Sequence, residues 1–326
     1  MKRTFVATLF AGLALFVIAG CGGSKSGGDG PEPLSKEAQA DQELGQKLAA
    51  YVELGNEFFD RAYSSRRRYY SWLTDPKPPP TCKEKYISYG LYTIAKTGKA
   101  AEKIQKANEM KPQMKKLEDA ATKVLLALDK LEPLLKKAKR YYSQKDYKDD
   151  GCKKGQEMHP KLVALWDEFE ANEKIFSGIV FATSRALHQR LLARIEKKYG
   201  KDHQRYYHKK VALDARTLLK LLPEGKAEAA DAAKATATLD KLVQEMDSNA
   251  KKGKEPSGYS SFRREANDFM KACKQRVRHL NSGKAYSKWD QRKINTGSGW
   301  MVTGSYAKVV REFNELIDAA NRVRHP

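Results

Sequence analysis

From Gln42 to the C-terminus, apolar side chains recur at intervals of three and four, the spacing that gathers them on one face of an α-helix. The longest run holds Met158, Leu162, Leu165, Trp166, Phe169, Phe176, Ile179, Val180, Thr183, Leu187, Leu191 and Ile195. It spans about forty residues, close to 60 Å of helix, and Gly200 stops it. An earlier stripe, Leu44, Leu48, Tyr51, Val52, Gly55, Phe58, Phe59, Ala62, Tyr69, Tyr70 and Leu73, ends at the proline-rich "TDPKPPPT". A second helix is expected over about 83–110. A third should begin near Pro112, with Met114, Leu117, Ala121, Val124, Leu125, Leu128, Leu131 and Leu135 carrying its stripe to Tyr142. Further helices are expected over 203–222, 224–249, 259–280 and 305–323. No stretch alternates β-branched residues, so no sheet is expected. The fold class is all-α: a single elongated bundle of long antiparallel helices over 41–326.

The chain opens differently. Lys2 and Arg3 precede an apolar stretch from Phe5 to Ala19, and "IAGC" closes it at Ile18 to Cys21. That is the layout of a secretory signal, too short for a spanning helix. "IAGC" resembles the bacterial lipobox, which implies cleavage of residues 1–20 and lipidation of Cys21, so that the mature protein is membrane-anchored and does not span. Gly22 and Gly23 stand where an aspartate commonly retains lipoproteins in the inner membrane; in a double-membraned host this favours the outer membrane, facing the periplasm. Residues 21–40, rich in Gly, Ser and Pro, read as a flexible tether with a reach of roughly 25 Å.

The formal charge is +22; without Lys2 and Arg3 the mature chain keeps 60 Lys and Arg against 40 Asp and Glu. Such an excess suits phosphate-rich partners, but export removes nucleic acid from reach. The anions outside the cytoplasm are lipid head groups, lipopolysaccharide phosphates, and teichoic or peptidoglycan carboxylates. Basic residues are spread through every helix with acids interleaved, which argues against one concentrated patch.

Beyond Cys21 there are Cys82, Cys152 and Cys273. If the first three helices run up, down and up, the loops holding Cys82 and Cys152 share one end, whereas Cys273 falls in helical phase with Phe262, Phe269 and Val277 as a small core residue would. A Cys82–Cys152 disulfide is therefore expected, closing a loop of about seventy residues. The alternative is three unpaired thiols, which a bundle would tolerate.

Two stretches, "KRYYSQKDYKDDGCKKGQEMHPKLVALWDEF" at Lys139 to Phe169 and "GSYAKVVREFNELIDAANRV" at Gly304 to Val323, resemble the YiiG-type bacterial lipoproteins, a family of unknown function. "KLAAYVELGNEFFDRAYSSRRRYYSWL" is similar to that family's opening helix. The resemblance implies an anchored helical protein and supplies no catalytic residues.

No chemistry-bearing motif stands out. His159 with Asp146, Asp149 and Asp150 falls short of a metal site, because zinc and hard cations need three or more converging ligands; His159 before Pro160 reads as a capping or loop-packing residue in a helix's first turn. His203 and His208, five apart, do not share a face. "NTGSGWMVTGS" at Asn295 to Ser305 lacks a phosphate-binding ending; Ser305 should cap the last helix and Trp300 plug the core's end. Acid pairs such as Asp167–Glu168 and Glu312–Glu315 lie beside lysines as solvated faces. No cofactor, metal or catalytic residue is expected. The leading functional reading is a non-enzymatic envelope scaffold or partner-binding protein; the alternative is a charge-driven binder of lipopolysaccharide, peptidoglycan or teichoic chains, with a hydrolase of such polymers third.

One motif recurs: an arginine before two tyrosines, at Arg68-Tyr69-Tyr70, Arg140-Tyr141-Tyr142 and Arg205-Tyr206-Tyr207. Helical phase makes the tyrosines end-of-bundle packing, rings inside and hydroxyls wet. The other reading makes Arg66, Arg67, Arg68 and Tyr69 a ligand-contacting rim.

Overall fold

The computed structural model describes residues 35–73, 75, 77–84, 86–87, 91–222, 229–250 and 255–325. The segment read as a signal, Cys21 and most of the stretch read as a tether lie outside the described residues. Among those described the protein is all-α, with a single antiparallel bridge between Ser257 and Arg324. Two compact units divide the expected bundle, 35–184 and 185–325. No described helix is long and apolar enough to cross a membrane.

The first unit holds α1 (Lys36–Tyr70), α2 (Gly98–Glu109), α3 (Lys115–Gln144) and the first part of α4 (Lys153–Tyr199). Ser35 caps α1 by accepting from the Ala38 N–H, so the helix starts inside the stretch read as tether. Leu48, Tyr51, Phe58, Phe59, Ala62 and Tyr69 form its buried stripe. Phe59 meets Phe169 and Phe176 of α4 edge-on at 5.4 and 5.8 Å between centroids. Each Å² of apolar surface removed from water at this seam contributes about 25 cal/mol to holding the two helices together.

Two further helix starts in this unit, those of α2 and α3, also differ from the sequence reading. Helix α2 begins at Gly98, because Ile87, Tyr92, Thr93 and Ile94 carry side chains of modest helix propensity, and buried Leu91 and Ile94 pack from an irregular strip. Helix α3 begins at Lys115, past Pro112. The carbonyls of Met110 and Pro112 turn to the Nζ of Lys47, at 2.9 and 2.8 Å, and Glu118 completes its three acceptors at 2.6 Å. The same Glu118 oxygen accepts from the Met114 N–H and so caps α3 where it starts. Lys47 is fully buried, and an ammonium is tolerable there because every proton is placed.

The second unit holds the end of α4 with α5 (Gln204–Leu221), α6 (Ala229–Ala250), α7 (Tyr259–Ser282), α8 (Lys288–Asn295) and α9 (Tyr306–Arg322). α5 packs on α6 and α9, and α7 on α6 and α9. Its core includes Val211, Leu218, Val243, Phe262, Phe269, Phe313 and Leu316, with Cys273 buried as a free thiol. Ser305 caps α9, accepting from the Lys308 N–H at 3.0 Å.

Candidate functional site

In the first unit polar groups concentrate along the α1–α4 seam. Arg66 is only 2% exposed; its guanidinium donates to Asp167 and Glu170 of α4, at 2.5 Å each. Three residues earlier, the Tyr63 hydroxyl donates to Glu173 at 2.8 Å, and Ser177 donates to the same carboxylate. Burial pushes the Glu173 carboxyl above its ordinary range, against the two hydroxyl donors. Three residues later, the fully buried Tyr69 lies among Trp72, Trp166, Tyr142 and His159, with centroids 5.4 to 6.0 Å away. His159 Nε2 donates to the Lys77 carbonyl at 3.3 Å, which leaves Nδ1 to accept from the Tyr69 hydroxyl at 3.0 Å.

This geometry corrects the rim reading. Arg66 and Tyr69 face the core, and only Arg67 and Arg68 of the four are exposed. The reason is phase: Arg66 falls three after Tyr63 and three before Tyr69, on the buried stripe, and α4 supplies carboxylates opposite it. Of the six motif tyrosines, all but half-buried Tyr70 are buried. Helix α4 begins at Lys153, so His159 and Pro160 sit well inside it; His159 joins the loop to the helix instead of capping.

Cys82 and Cys152 are disulfide-bonded, with Cα atoms 5.7 Å apart. Gly155, one turn into α4, has no side chain because a Cβ would stand 3.0 Å from the Tyr142 hydroxyl and 3.2 Å from Cys152 Sγ. Asp150 organises the turn: it accepts from the Tyr141 hydroxyl at 2.8 Å and from the Cys152 and Lys154 N–H groups at 3.0 and 3.2 Å. Against some desolvation, these donors hold its carboxyl below the usual range. Its oxygens are thus committed to the turn. Among the described residues no three His, Cys, Asp or Glu side chains converge as metal ligands.

The second unit is where the charge accumulates. Residues 185–326 carry 31 Lys and Arg against 16 Asp and Glu, a net +15; residues 35–184 carry 28 against 22, a net +6. Bases with acids interleaved thus occur in both units, as expected, but the net excess is larger in the second. Some of this charge is internal. Lys209 and Arg216 of α5 are buried beside His188, with Arg216 Nη1 3.2 Å from His188 Nδ1. Burial, then the Arg216 charge, pulls Lys209 down to about 7, and burial brings Arg216 to about 10. His208 Nε2 donates to the Ala320 carbonyl at 3.0 Å, so its Nδ1 accepts from His325 Nε2, also at 3.0 Å. Burial foremost lowers the two rings to about 3 and about 4. His203 accepts from the Arg205 N–H and caps α5.

Between α7 and α9 the chain makes an excursion that sequence periodicity did not reveal. Its base is closed where the Tyr286 hydroxyl donates to the Gly304 carbonyl at 2.8 Å, with Arg276 Nη1 on both, at 3.1 and 3.3 Å. Gly304 has φ +76°, and a Cβ there would lie 3.0 Å from that of His279. Helix α8, which buries no residue, and a 3-10 turn at Gly299–Met301 fill the excursion. Trp300 does not plug the core: it is 41% exposed with Arg311 over its ring at 4.0 Å, because Gly299, not Trp300, packs against Ile294 and Ala307.

The chain matches the family described as protein of unknown function (DUF3829) over residues 42–322, nearly all of the helical region. It belongs to that family. A relative from Escherichia coli (strain K12), described as uncharacterized protein YiiG, is 28% identical over 282 residues, covering 86% of this chain and 79% of its own. No solved structure matches.

Proposed function

We propose that this family member is a lipid-anchored, non-enzymatic envelope protein that binds an anionic envelope component through its C-terminal unit. The observation that carries the reading is the charge bias: +15 on residues 185–326 against +6 on residues 35–184. A field of one sign on one unit raises the local concentration of polyanions there. Export to an oxidising compartment is supported by the "IAGC" stretch and the Cys82–Cys152 bond. Gly22 and Gly23 after Cys21, where a retention aspartate would stand, support residence at the outer membrane of a double-membraned host. The non-enzymatic reading is supported by the employment of the acids: Asp167 and Glu170 hold Arg66, Glu168 holds Lys130 at 2.8 Å, and Glu312 holds Lys308 at 2.6 Å.

The partners that fit are lipopolysaccharide phosphates and teichoic or peptidoglycan chains. Co-sedimentation of the full chain with each purified polymer tests this. Affinity should fall at least about tenfold between about 50 and 300 mM salt, as counterion release requires. Retention that ignores salt would mean that uncharged contacts with the polymer, and not charge, hold the complex, and would overturn the polyanion reading.

A further inference from the structure

We propose that the excursion between Tyr286 and Gly304 is a bilayer-docking element, whose Trp289, Trp300 and Met301 enter the interfacial layer of an anionic phospholipid membrane. These side chains are 63%, 41% and 56% exposed. The remaining two tryptophans, Trp72 and Trp166, are 8% and 1% exposed, so the exposed tryptophans both fall in this segment. Large apolar rings left in water on neighbouring elements mark an interaction surface, and the indole's apolar body and N–H suit the head-group layer.

Charge complementarity selects the occupant. Exposed Lys288 and Arg292, with Lys293, accompany Asp290 alone among acids on this segment, and exposed Lys284 stands just before it. Lys293 Nζ lies 5.7 Å over the Trp289 ring, and Arg311 covers Trp300. Each ring is thus held beside a cation, the pairing that binds acyl boundary and phosphate together. The clamp of Arg276, Tyr286 and Gly304 presents the segment as a folded unit, which reduces the ordering that docking requires. This inference concerns a lipid surface and stands apart from polymer binding by the unit's wider charge.

The test uses the full chain reconstituted in vesicles with acyl chains brominated near the head group. Trp72 and Trp166 are internal, so quenching reads Trp289 and Trp300. In phosphatidylglycerol vesicles their emission should fall about twofold and recover at high salt, as a surface-charge attraction requires. In neutral phosphatidylcholine vesicles quenching should be slight. Replacing Lys284→Gln, Lys288→Gln and Arg292→Gln together should remove most quenching while flotation and the thermal transition stay unchanged; if that variant unfolds, the salt recovery alone decides. Flotation reads the Cys21 anchor separately. A chain that floats unquenched overturns bilayer docking and leaves the anchor standing. Equal quenching in both lipids, or an emission shift that follows protein concentration and marks a second copy, also overturns it.

Discussion

The hydroxyl of Tyr286 donates to the carbonyl of Gly304 at 2.8 Å, joining two residues that bracket α8 and the Gly299–Met301 turn. The bond makes a solvent-exposed stretch into a closed unit. Tyr286→Phe should therefore loosen the excursion without unfolding the domain, at about 1 kcal/mol for a lost hydrogen bond. Hydrogen exchange should accelerate over 287–303 with α7 and α9 unchanged. Acceleration in α7 or α9 would mean the bond supports the core.

The Arg66 cluster should respond asymmetrically. Its guanidinium is buried, whereas the Asp167 and Glu170 side chains are 47% and 40% exposed. Neutralising both carboxylates by Asp167→Asn with Glu170→Gln leaves a buried cation without those two partners and should cost about 3 kcal/mol. Arg66→Met leaves carboxylates that water can solvate and should cost less, about 1 kcal/mol. Denaturant titration of the two variants gives the order. Arg67→Ala with Arg68→Ala, at exposed positions, should stay within about 0.5 kcal/mol of the parent.

The covalent link between Cys82 and Cys152 has a sequence separation of 70. Constraining so long a loop in the unfolded chain contributes about 4 kcal/mol in the chain-entropy account. Unfolding in urea with and without reductant should show the midpoint falling on reduction, and non-reduced peptide mapping should recover one 82–152 pair with Cys273 free. An unchanged midpoint would remove the stabilising role.

Acid should loosen the C-terminal tail. His208 and His325 titrate in the folded protein at about 3 and about 4, below the ordinary value near 6.5, through burial and then neighbouring His325, Lys209, Arg205 and His203. The unfolded chain therefore binds more protons between about pH 6.5 and 4, and stability falls as pH drops through that window, by up to about 1.4 kcal/mol per pH unit for each ring. His208→Gln should flatten the pH slope of the second unit's unfolding. An unaltered slope would assign the acid sensitivity elsewhere.

The long helices were legible because their stripes are uninterrupted: Met158 to Leu191 keeps its phase across α4, and Gly200 follows its last residue. The buried pairing of Arg66 and Lys47 was not legible, since their partners are distant in sequence, 101 and 104 residues from Arg66 and 63 to 71 from Lys47. Phase was the available signal, as both occupy stripe positions between buried neighbours. Helix α8 escaped notice because "KWDQRKIN" has no buried residue and hence no apolar period. The charge bias needed the division at Ser184, which no loop or proline marks within α4.

The most direct measurement for the central claim is lysine-labelling protection of the full chain with and without lipopolysaccharide and peptidoglycan, at low and high salt. Binding through the basic unit should protect exposed lysines of residues 185–326 at low salt, release them at high salt, and leave the exposed lysines of 35–184 reactive. Protection confined to 35–184, or protection that survives high salt, would contradict it.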